Sequence, residues 1–346
     1  MPRVAFLVSS ARAIDLDDDP QHPTGYWAEE VLTSYERLMA VGVDTIVMTV
    51  DGTAPSVDPY SLDPVFHQPL EDRGYFASVH RTFHRDPDDV RITLHHTTEL
   101  DLAAGRRIAR RMVLAGRTAE EAHRIVSTAA KIAWREDRRL VEVMATEGID
   151  GGVPEGGLRE AVAELDLVCR AMAEDRAASL VEIEELHHPV ALQDLDDADL
   201  AAFDGMFVPG GHAAMVDLPE SPAVGRLVAS LHGRGAPIAA LCHGPAALLA
   251  APDRWDGQWL FEGYRFTSFT DDEESQNAIG RGGLPWRLAP ALQNAGGILD
   301  DAAQPWASHV VVDRNLITGQ NPFSTRATVG ALLKALGLAG PRHRSR

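Results

Sequence analysis

The sequence predicts an α/β fold: a doubly wound, mostly parallel sheet flanked by helices, with a long helical insertion. Three observations carry this. Val4-Ala5-Phe6-Leu7-Val8 and Val43 to Val50 are apolar runs with one amphipathic stretch between them, the pattern of a βαβ unit. Met206-Phe207-Val208 and Pro237 to Leu241 are two more short apolar runs, each ending at a tight turn, with helical spacing between them. Residues 70–188, between these halves, are too long for a plain loop and read as helix for much of their length.

Taken in order, Val4 to Val8 is a central strand, and the Asp- and Pro-containing stretch Ser9 to Thr24 is a loop. A helix opens at Thr24-Gly25-Tyr26-Trp27-Ala28-Glu29-Glu30, buries Val31, Tyr35, Leu38 and Met39, and stops at Gly42. Val43 to Val50 is the second strand, Asp51-Gly52 its turn, and Thr53 to Pro69 a Pro-rich loop. In the insertion, Leu102 to Gly116 is a basic helix, Thr118 starts a helix that can run to Glu147, Asp150-Gly151-Gly152-Val153-Pro154 breaks it, and Leu158 to Leu186 is helical again.

After the acidic stretch Asp194 to Leu200 comes the strand Met206-Phe207-Val208 with its turn Pro209-Gly210-Gly211-His212. Ser221-Pro222 is an N-cap followed by a helix with Val224, Leu227, Val228 and Leu231 on one face, stopped by Gly233 and Gly235. Pro237 to Leu241 leads straight into Cys242, after which Gly244 to Ala250 reads as a helix. Tyr264 to Phe269 alternates like a strand, Pro285 to Ala295 is a helix, His309–Asp313 and Leu316–Thr318 form a hairpin around Arg314-Asn315, and Ser324 to Leu336 is the last helix. The domain reading is an α/β domain of residues 1–69 and 189–340, a helical insertion of 70–188 serving as cap or oligomer contact, and a frayed tail of 341–346.

The chain has 346 residues, 45% of them apolar, and a formal net charge of −19. Such acidity repels phosphate backbones and anionic lipid, so neither nucleic acid nor membrane is expected as a partner. Two cysteines, Cys169 and Cys242, make no disulfide framework, and the N-terminus carries no signal-peptide pattern. A cytoplasmic, reduced protein is the expectation.

Cys242 sits at a sharp strand-to-helix turn, where helix N–H groups and dipole favour a thiolate and His243 can move a proton. The N–H groups of Gly210-Gly211 and of His243 are candidates for an oxyanion hole. Downstream, a carboxylate within Asp271-Asp272-Glu273-Glu274 follows a predicted strand and fits a third member that orients the imidazole. Cys169 reads as a buried helix-face residue. The insertion's histidines, His84, His95, His96, His123, His187 and His188, do not have zinc-site spacing. No metal and no cofactor are expected.

Phe203-Asp204-Gly205-Met206-Phe207-Val208-Pro209-Gly210-Gly211-His212 and Ala240-Leu241-Cys242-His243-Gly244-Pro245 resemble the DJ-one/PfpI superfamily, within the class I glutamine amidotransferase-like, flavodoxin-like fold. Met215 to Glu220, and Pro305 to His309 through Leu316 to Pro322, are similar to its heat-shock chaperone and glutathione-independent glyoxalase branch. The resemblance covers residues 1–60 and 190–337 and leaves out the middle. It implies that Glu30, in a Thr-Gly-x-x-x-x-Glu context, points at Cys242, with Glu29 as the alternative. It places Asp271 at the triad acid, and Gly210, Gly211 and His212 at the oxyanion and substrate turn. Ala213 stands where the family has glycine, which strains the backbone if that position needs a positive φ.

The implied activity is glyoxalase-type conversion of methylglyoxal or a related 2-oxoaldehyde to a 2-hydroxy acid, D-lactate from methylglyoxal, without glutathione. Alternatives are a Cys-His-Asp hydrolase or hydratase on another small carbonyl, amide or isonitrile, and a stress-related holdase chaperone. A small-molecule substrate and a homodimer are the expected partners.

Overall fold

The computed structural model describes residues 1–67, 104–136, 138–254 and 257–338. Its centre is a seven-stranded sheet built from β1 (Arg3–Leu7), β2 (Asp44–Thr49), β3 (Val190–Ala191), β4 (Gly205–Val208), β5 (Ile238–Leu241), β6 (Val310–Asp313) and β7 (Leu316–Gly319). The order is β6-β7-β5-β4-β1-β2-β3. Every pairing is parallel except the β6–β7 hairpin. β4 and β5 are buried at every residue, which explains their unbroken apolar runs. The order reverses at β1, with β2 on one side and β4 on the other. Carboxyl ends of strands at such a reversal form the usual ligand crevice of an open α/β sheet.

Helix α1 (Ala28–Ala40) follows β1, and its first turn is fixed from outside: the Ser61 hydroxyl accepts the Ala28 N–H at 3.0 Å. The Ser221 cap read from sequence is present, its hydroxyl accepting from Val224 N ahead of the helix Pro222–Gly233. That helix buries Val224, Leu227, Val228 and Leu231 in a core shared with Leu7, Met206, Val208, Ile238, Phe261 and Leu316.

Some expectations change. The segment after Cys242 is a 3-10 helix, Gly244–Ala250. Only Arg265–Phe266 of the expected strand 264–269 is extended, and it pairs with Ile298–Leu299 outside the main sheet. Thr267 is instead held by its N–H on the Thr318 hydroxyl, 2.9 Å away. The loop 9–24 contains a small antiparallel pair, Ala13–Ile14 with His22–Pro23.

The chain divides into two units, Met1–Ser61 with Arg176–Arg346, and Leu62–Asp175. The described part of the second unit is helical: Gly105–Leu114, Ala119–Glu136, Leu140–Thr146, and most of Glu155–Val181. The helix expected over 118–147 is therefore two helices. Ile108, Met112, Val126, Ala129, Leu140, Met144, Leu158 and Leu165 form its core, and Cys169 is buried there. Residues 68–103, with His84, His95 and His96, and the tail 341–346 lie outside the described residues. No helix among the described residues is long and apolar enough to cross a membrane.

A buried pin joins α1 to the last helix, Thr325–Ala335: the Thr325 hydroxyl donates to Glu29 Oε2 at 2.8 Å. Removing that donor strands a buried carboxylate oxygen. Thr325→Val is expected to lower unfolding stability by about 1–3 kcal/mol, read from the urea midpoint; an unchanged midpoint would show that the pin contributes nothing.

Candidate active site

Three chain segments converge at the carboxyl ends of β1, β4 and β5. Cys242, one residue past β5, has φ of 59°, a left-handed conformation that a non-glycine residue adopts only under constraint. The constraint is double: its N–H bonds Gly319 O at 2.9 Å, and its C=O accepts from Phe269 N at 3.0 Å. The turn after β4 must pass close by. A Cβ on Gly210 would lie 2.7 Å from Cys242 Cβ, and one on Gly211, at φ 98°, would lie 2.2 Å from Gly25 O. Both positions therefore require glycine. Ala213 has φ −52° and carries no such strain.

Glu30, in the first turn of α1, is fully buried and aims at this point. Gly210 N–H donates to its Oε2 at 2.7 Å. Oε1 has no N–H or O–H partner, and the carboxyl lies against the Cys242 thiol. Burial pushes the Glu30 pKa up to about 8, against the Gly210 N–H, with Glu29 adding to the rise. Glu29 itself turns away, bonded to Thr33 and Thr325.

On the other side, Cys242 Sγ lies 3.3 Å from His243 Nδ1. His243 Nε2 meets Glu274 Oε1 at 2.7 Å, so the imidazole proton sits on Nε2 and the Nδ1 lone pair faces the sulfur. Phe269 covers the ring, with centroids 4.6 Å apart. Burial, then repulsion from His212, lowers His243 to about 4 despite Glu274. Burial and the Glu30 carboxyl push Cys242 well above the ordinary thiol range, while a Gly211 N–H on the sulfur pulls the other way. Burial and Glu30 thus act against the thiolate that a helix dipole favours, and the element behind Cys242 is a short 3-10 helix.

Asp271, expected as the imidazole's partner, is not there. It is the first residue of the four-residue helix Asp271–Glu274, about half-exposed, and pairs with Arg287 at 3.7 Å. Glu274, almost one turn later, takes the place. The reason is a capping box. Thr270 caps the Glu273 N–H, and Glu273 Oε2 accepts from Thr270 N at 3.0 Å, which turns Asp271 to solvent and Glu274 inward. The Thr-x-x-Glu pattern of Thr270 to Glu273 was the signal in the sequence that could have found it.

Two further expectations change. The Gly210 N–H is spent on Glu30, which leaves Gly211 as the member of the turn whose N–H reaches the sulfur. His212 is buried, and its Nε2 lies 3.2 Å from Glu274 Oε2, so it is a second imidazole on the same carboxylate rather than a donor facing the sulfur. Asn277 Nδ2 donates to that oxygen too, at 2.9 Å. Asp58, whose Oδ2 accepts from Thr24 Oγ1 at 3.0 Å, is a buried acid near His212 that the sequence did not single out as a site residue.

Among the described residues, His212, His243 and Glu274 are the one group whose ligand-type atoms all lie within 4.8 Å of one another. Both Nε2 atoms are already engaged by the carboxylate, and His212 Nδ1 has no partner to orient it as metal ligation normally demands. The set fits a proton network better than a metal centre. The constellation is an acid, a thiol, an imidazole and a second acid in one buried row, the parts needed for addition of sulfur to a carbonyl with proton transfer on either side.

Folded Glu30 keeps its proton to about pH 8, whereas an unfolded carboxyl loses it near 4.5. The native state holds more protons in that window, so stability falls as pH rises through it. Relative to Glu30→Gln, the wild type is expected to lose roughly 1.4 kcal/mol per pH unit across the window, measured from urea midpoints; parallel stability curves would contradict this.

The DJ-1/PfpI family profile matches residues 140–335. The chain is 36% identical over 143 residues to the glutamine amidotransferase-like class 1 domain-containing protein 1 of Bos taurus, a stretch covering 41% of this chain and 64% of that protein. It is 31% identical over 152 residues to a glutathione-independent glyoxalase of Schizosaccharomyces pombe, covering 42% and 62%. The matched stretch is thus less than two thirds of each relative's length. The crystal structure of glyoxalase III from Candida albicans shares the fold, with a TM-score of 0.56 over 97% of each chain at 18% identity.

Proposed function

This chain belongs to the DJ-1/PfpI family, and from that premise we propose that it is a cysteine-dependent enzyme of glyoxalase type, acting on methylglyoxal or a related small 2-oxoaldehyde without glutathione. The observation that carries this reading is Glu30. A thiol, an imidazole and an acid suffice for acyl transfer. A second carboxyl, buried against the sulfur and half-protonated at about pH 8, is an additional proton carrier tuned to work near neutrality. Isomerising a 2-oxoaldehyde needs such a carrier; simple hydrolysis does not. The name of the S. pombe relative agrees with this chemistry.

The proposed steps balance without a redox partner. Cys242 sulfur attacks the aldehyde carbon, His243 Nδ1 takes the thiol proton, and Glu30 gives its proton to the carbonyl oxygen. The Glu30 carboxylate then removes the C–H proton of the hemithioacetal. The His243 imidazolium returns its proton to the second carbonyl oxygen, giving an enediol; Glu30 then protonates the neighbouring carbon and takes the hydroxyl proton from the sulfur-bearing carbon, leaving a thioester of the 2-hydroxy acid with Glu30 protonated and His243 neutral. Water cleaves the thioester with help from His243, restoring the thiol. The net change is addition of one water. Gly211 N–H, which reaches the sulfur, is the turn's candidate donor to the developing oxyanion.

The holdase reading gains nothing from the second unit. Its exposed large apolar side chains among the described residues are Val113, Leu114 and Leu167, and a few such exposures are ordinary on a soluble surface.

Glutathione-free consumption of methylglyoxal tests the proposal. Cys242→Ala and Glu30→Gln are expected to abolish it. Glu274→Gln is expected to lose at least about a hundredfold in kcat/KM, the scale of a disabled general base, while Asp271→Asn stays within about twofold. A wild type inactive on 2-oxoaldehydes, with Cys242 still alkylated by iodoacetamide, would sink the substrate assignment and leave the nucleophile.

A further inference from the structure

We propose that His212 is a second catalytic base: its Nδ1 takes the proton of the water that cleaves the acyl group from Cys242. This rests on the reading of Cys242 as a nucleophile that comes to carry an acyl thioester, and it holds for a 2-oxoaldehyde or for any other acyl donor.

The geometry is one carboxylate serving two imidazoles. Glu274 Oε1 meets His243 Nε2 at 2.7 Å, and Oε2 meets His212 Nε2 at 3.2 Å. A carboxylate accepts, so both Nε2 atoms donate. On the His212 side the carboxylate is itself fixed: Asn277 Nδ2 donates to Oε2 at 2.9 Å, and Asn277 Oδ1 accepts from Gly280 N at 2.7 Å. Each ring thus has its tautomer set by the same acid, the arrangement that turns the second ring nitrogen into a base.

The two rings differ at that second nitrogen. His243 Nδ1 lies 3.3 Å from Cys242 Sγ and is committed to the nucleophile. His212 Nδ1 is buried, in a residue 4% exposed, and has no hydrogen-bond partner among the described residues. Asp58, the other acid near this ring, is engaged elsewhere: Oδ2 accepts from Thr24 Oγ1 at 3.0 Å and Oδ1 from Tyr60 N at 2.9 Å. A buried cation with an unpaired N–H is far costlier than a neutral ring with an unpaired lone pair, so Nδ1 carries the lone pair. That lone pair is complete only with a donor from outside the chain, and water is the O–H donor that the reaction consumes.

The place in the fold suits the step. His212 directly follows Gly211, whose N–H reaches the sulfur, and its ring lies on His243 with centroids 4.0 Å apart. Glu30 and His243 are both engaged with the sulfur itself. In the step, water oxygen bonds the acyl carbon, one water proton passes to His212 Nδ1, and the C–S bond breaks with its electron pair on sulfur. The acid leaves as its carboxylate, giving its proton to the sulfur by way of His243, and the His212 proton goes to solvent.

The test uses the full chain and p-nitrophenyl acetate, an acyl donor that needs no 2-oxoaldehyde chemistry. Nitrophenolate release reads acylation of Cys242, and intact mass reads the lifetime of the acetyl-enzyme. His212→Gln keeps a donor for Glu274 and removes the base. It is expected to lengthen that lifetime about a hundredfold, the lower end of a lost general base, and to slow acylation far less. Hydroxylamine, which attacks a thioester without a base, is expected to clear the acetyl-enzyme equally fast from variant and wild type; a merely distorted site would slow both nucleophiles. An unchanged lifetime in water, or equal losses with water and hydroxylamine, would overturn the proposal. Nitrogen NMR of wild type at neutral pH stands independently of the variant's folding: a neutral His212 with its proton on Nε2 supports the proposal, and a doubly protonated His212 overturns it. A wild type that forms no acetyl-enzyme would overturn the acyl-cysteine reading and this proposal together, whereas a wild type inactive only on 2-oxoaldehydes overturns the substrate assignment alone.

Discussion

Everything at this site follows from the cost of burying charge. Glu30, Cys242, His243, His212 and Glu274 are all nearly inaccessible to water, and an isolated ion there is prohibitively expensive. The groups resolve this by sharing protons. Burial pushes Glu30 and Cys242 toward their protonated forms and His243 toward its neutral form, while the two imidazoles hold Glu274 well below the usual carboxylate range. Removing Glu274 would leave both His212 Nε2 and His243 Nε2 buried without their acceptor, a costly loss.

The surrounding fold exists to hold this row in register. Glycine at 210 and 211 lets the turn after β4 approach both Cys242 and the entry to α1. Trp27 N–H bonds Gly210 O at 3.1 Å, and Glu30 takes the Gly210 N–H, so one peptide turn anchors the helix that carries the acid. Glu273 does the same for the other acid. Its Oε1 accepts from Gln320, Asn321 and Trp306 N, at 2.9, 2.7 and 2.7 Å, and its Oε2 from Thr270. This ties the helix bearing Glu274 to the end of β7, the same strand end that receives Cys242 N–H.

The sheet was legible because parallel, doubly buried strands leave continuous apolar runs, as at Val4 to Val8 and Met206 to Val208, and because Ser221-Pro222 is an unambiguous helix start. The elbow was legible for the same reason: an apolar run ending in Cys-His-Gly-Pro leaves little choice of geometry. Glu30 against Glu29 was settled by helix phase, a 100° rotation that no composition argument fixes without the neighbouring strand. Asp271 against Glu274 failed at the same level. Four acids in a row offer no hydrophobic period, and only the cap at Thr270 breaks the tie. Protonation was the least legible feature. The helix dipole favours a thiolate, burial against a second carboxyl opposes it, and burial comes from residues far apart in the chain.

The central claim is that burial keeps Glu30 protonated against the Cys242 sulfur. The direct measurement is the infrared carboxyl absorbance of wild type minus Glu30→Gln, followed against pH. The account predicts a protonated-carboxyl band at neutral pH that fades with a midpoint at about pH 8. A Glu30 already ionised at neutral pH would contradict it, and would remove the proton carrier on which the proposed chemistry rests.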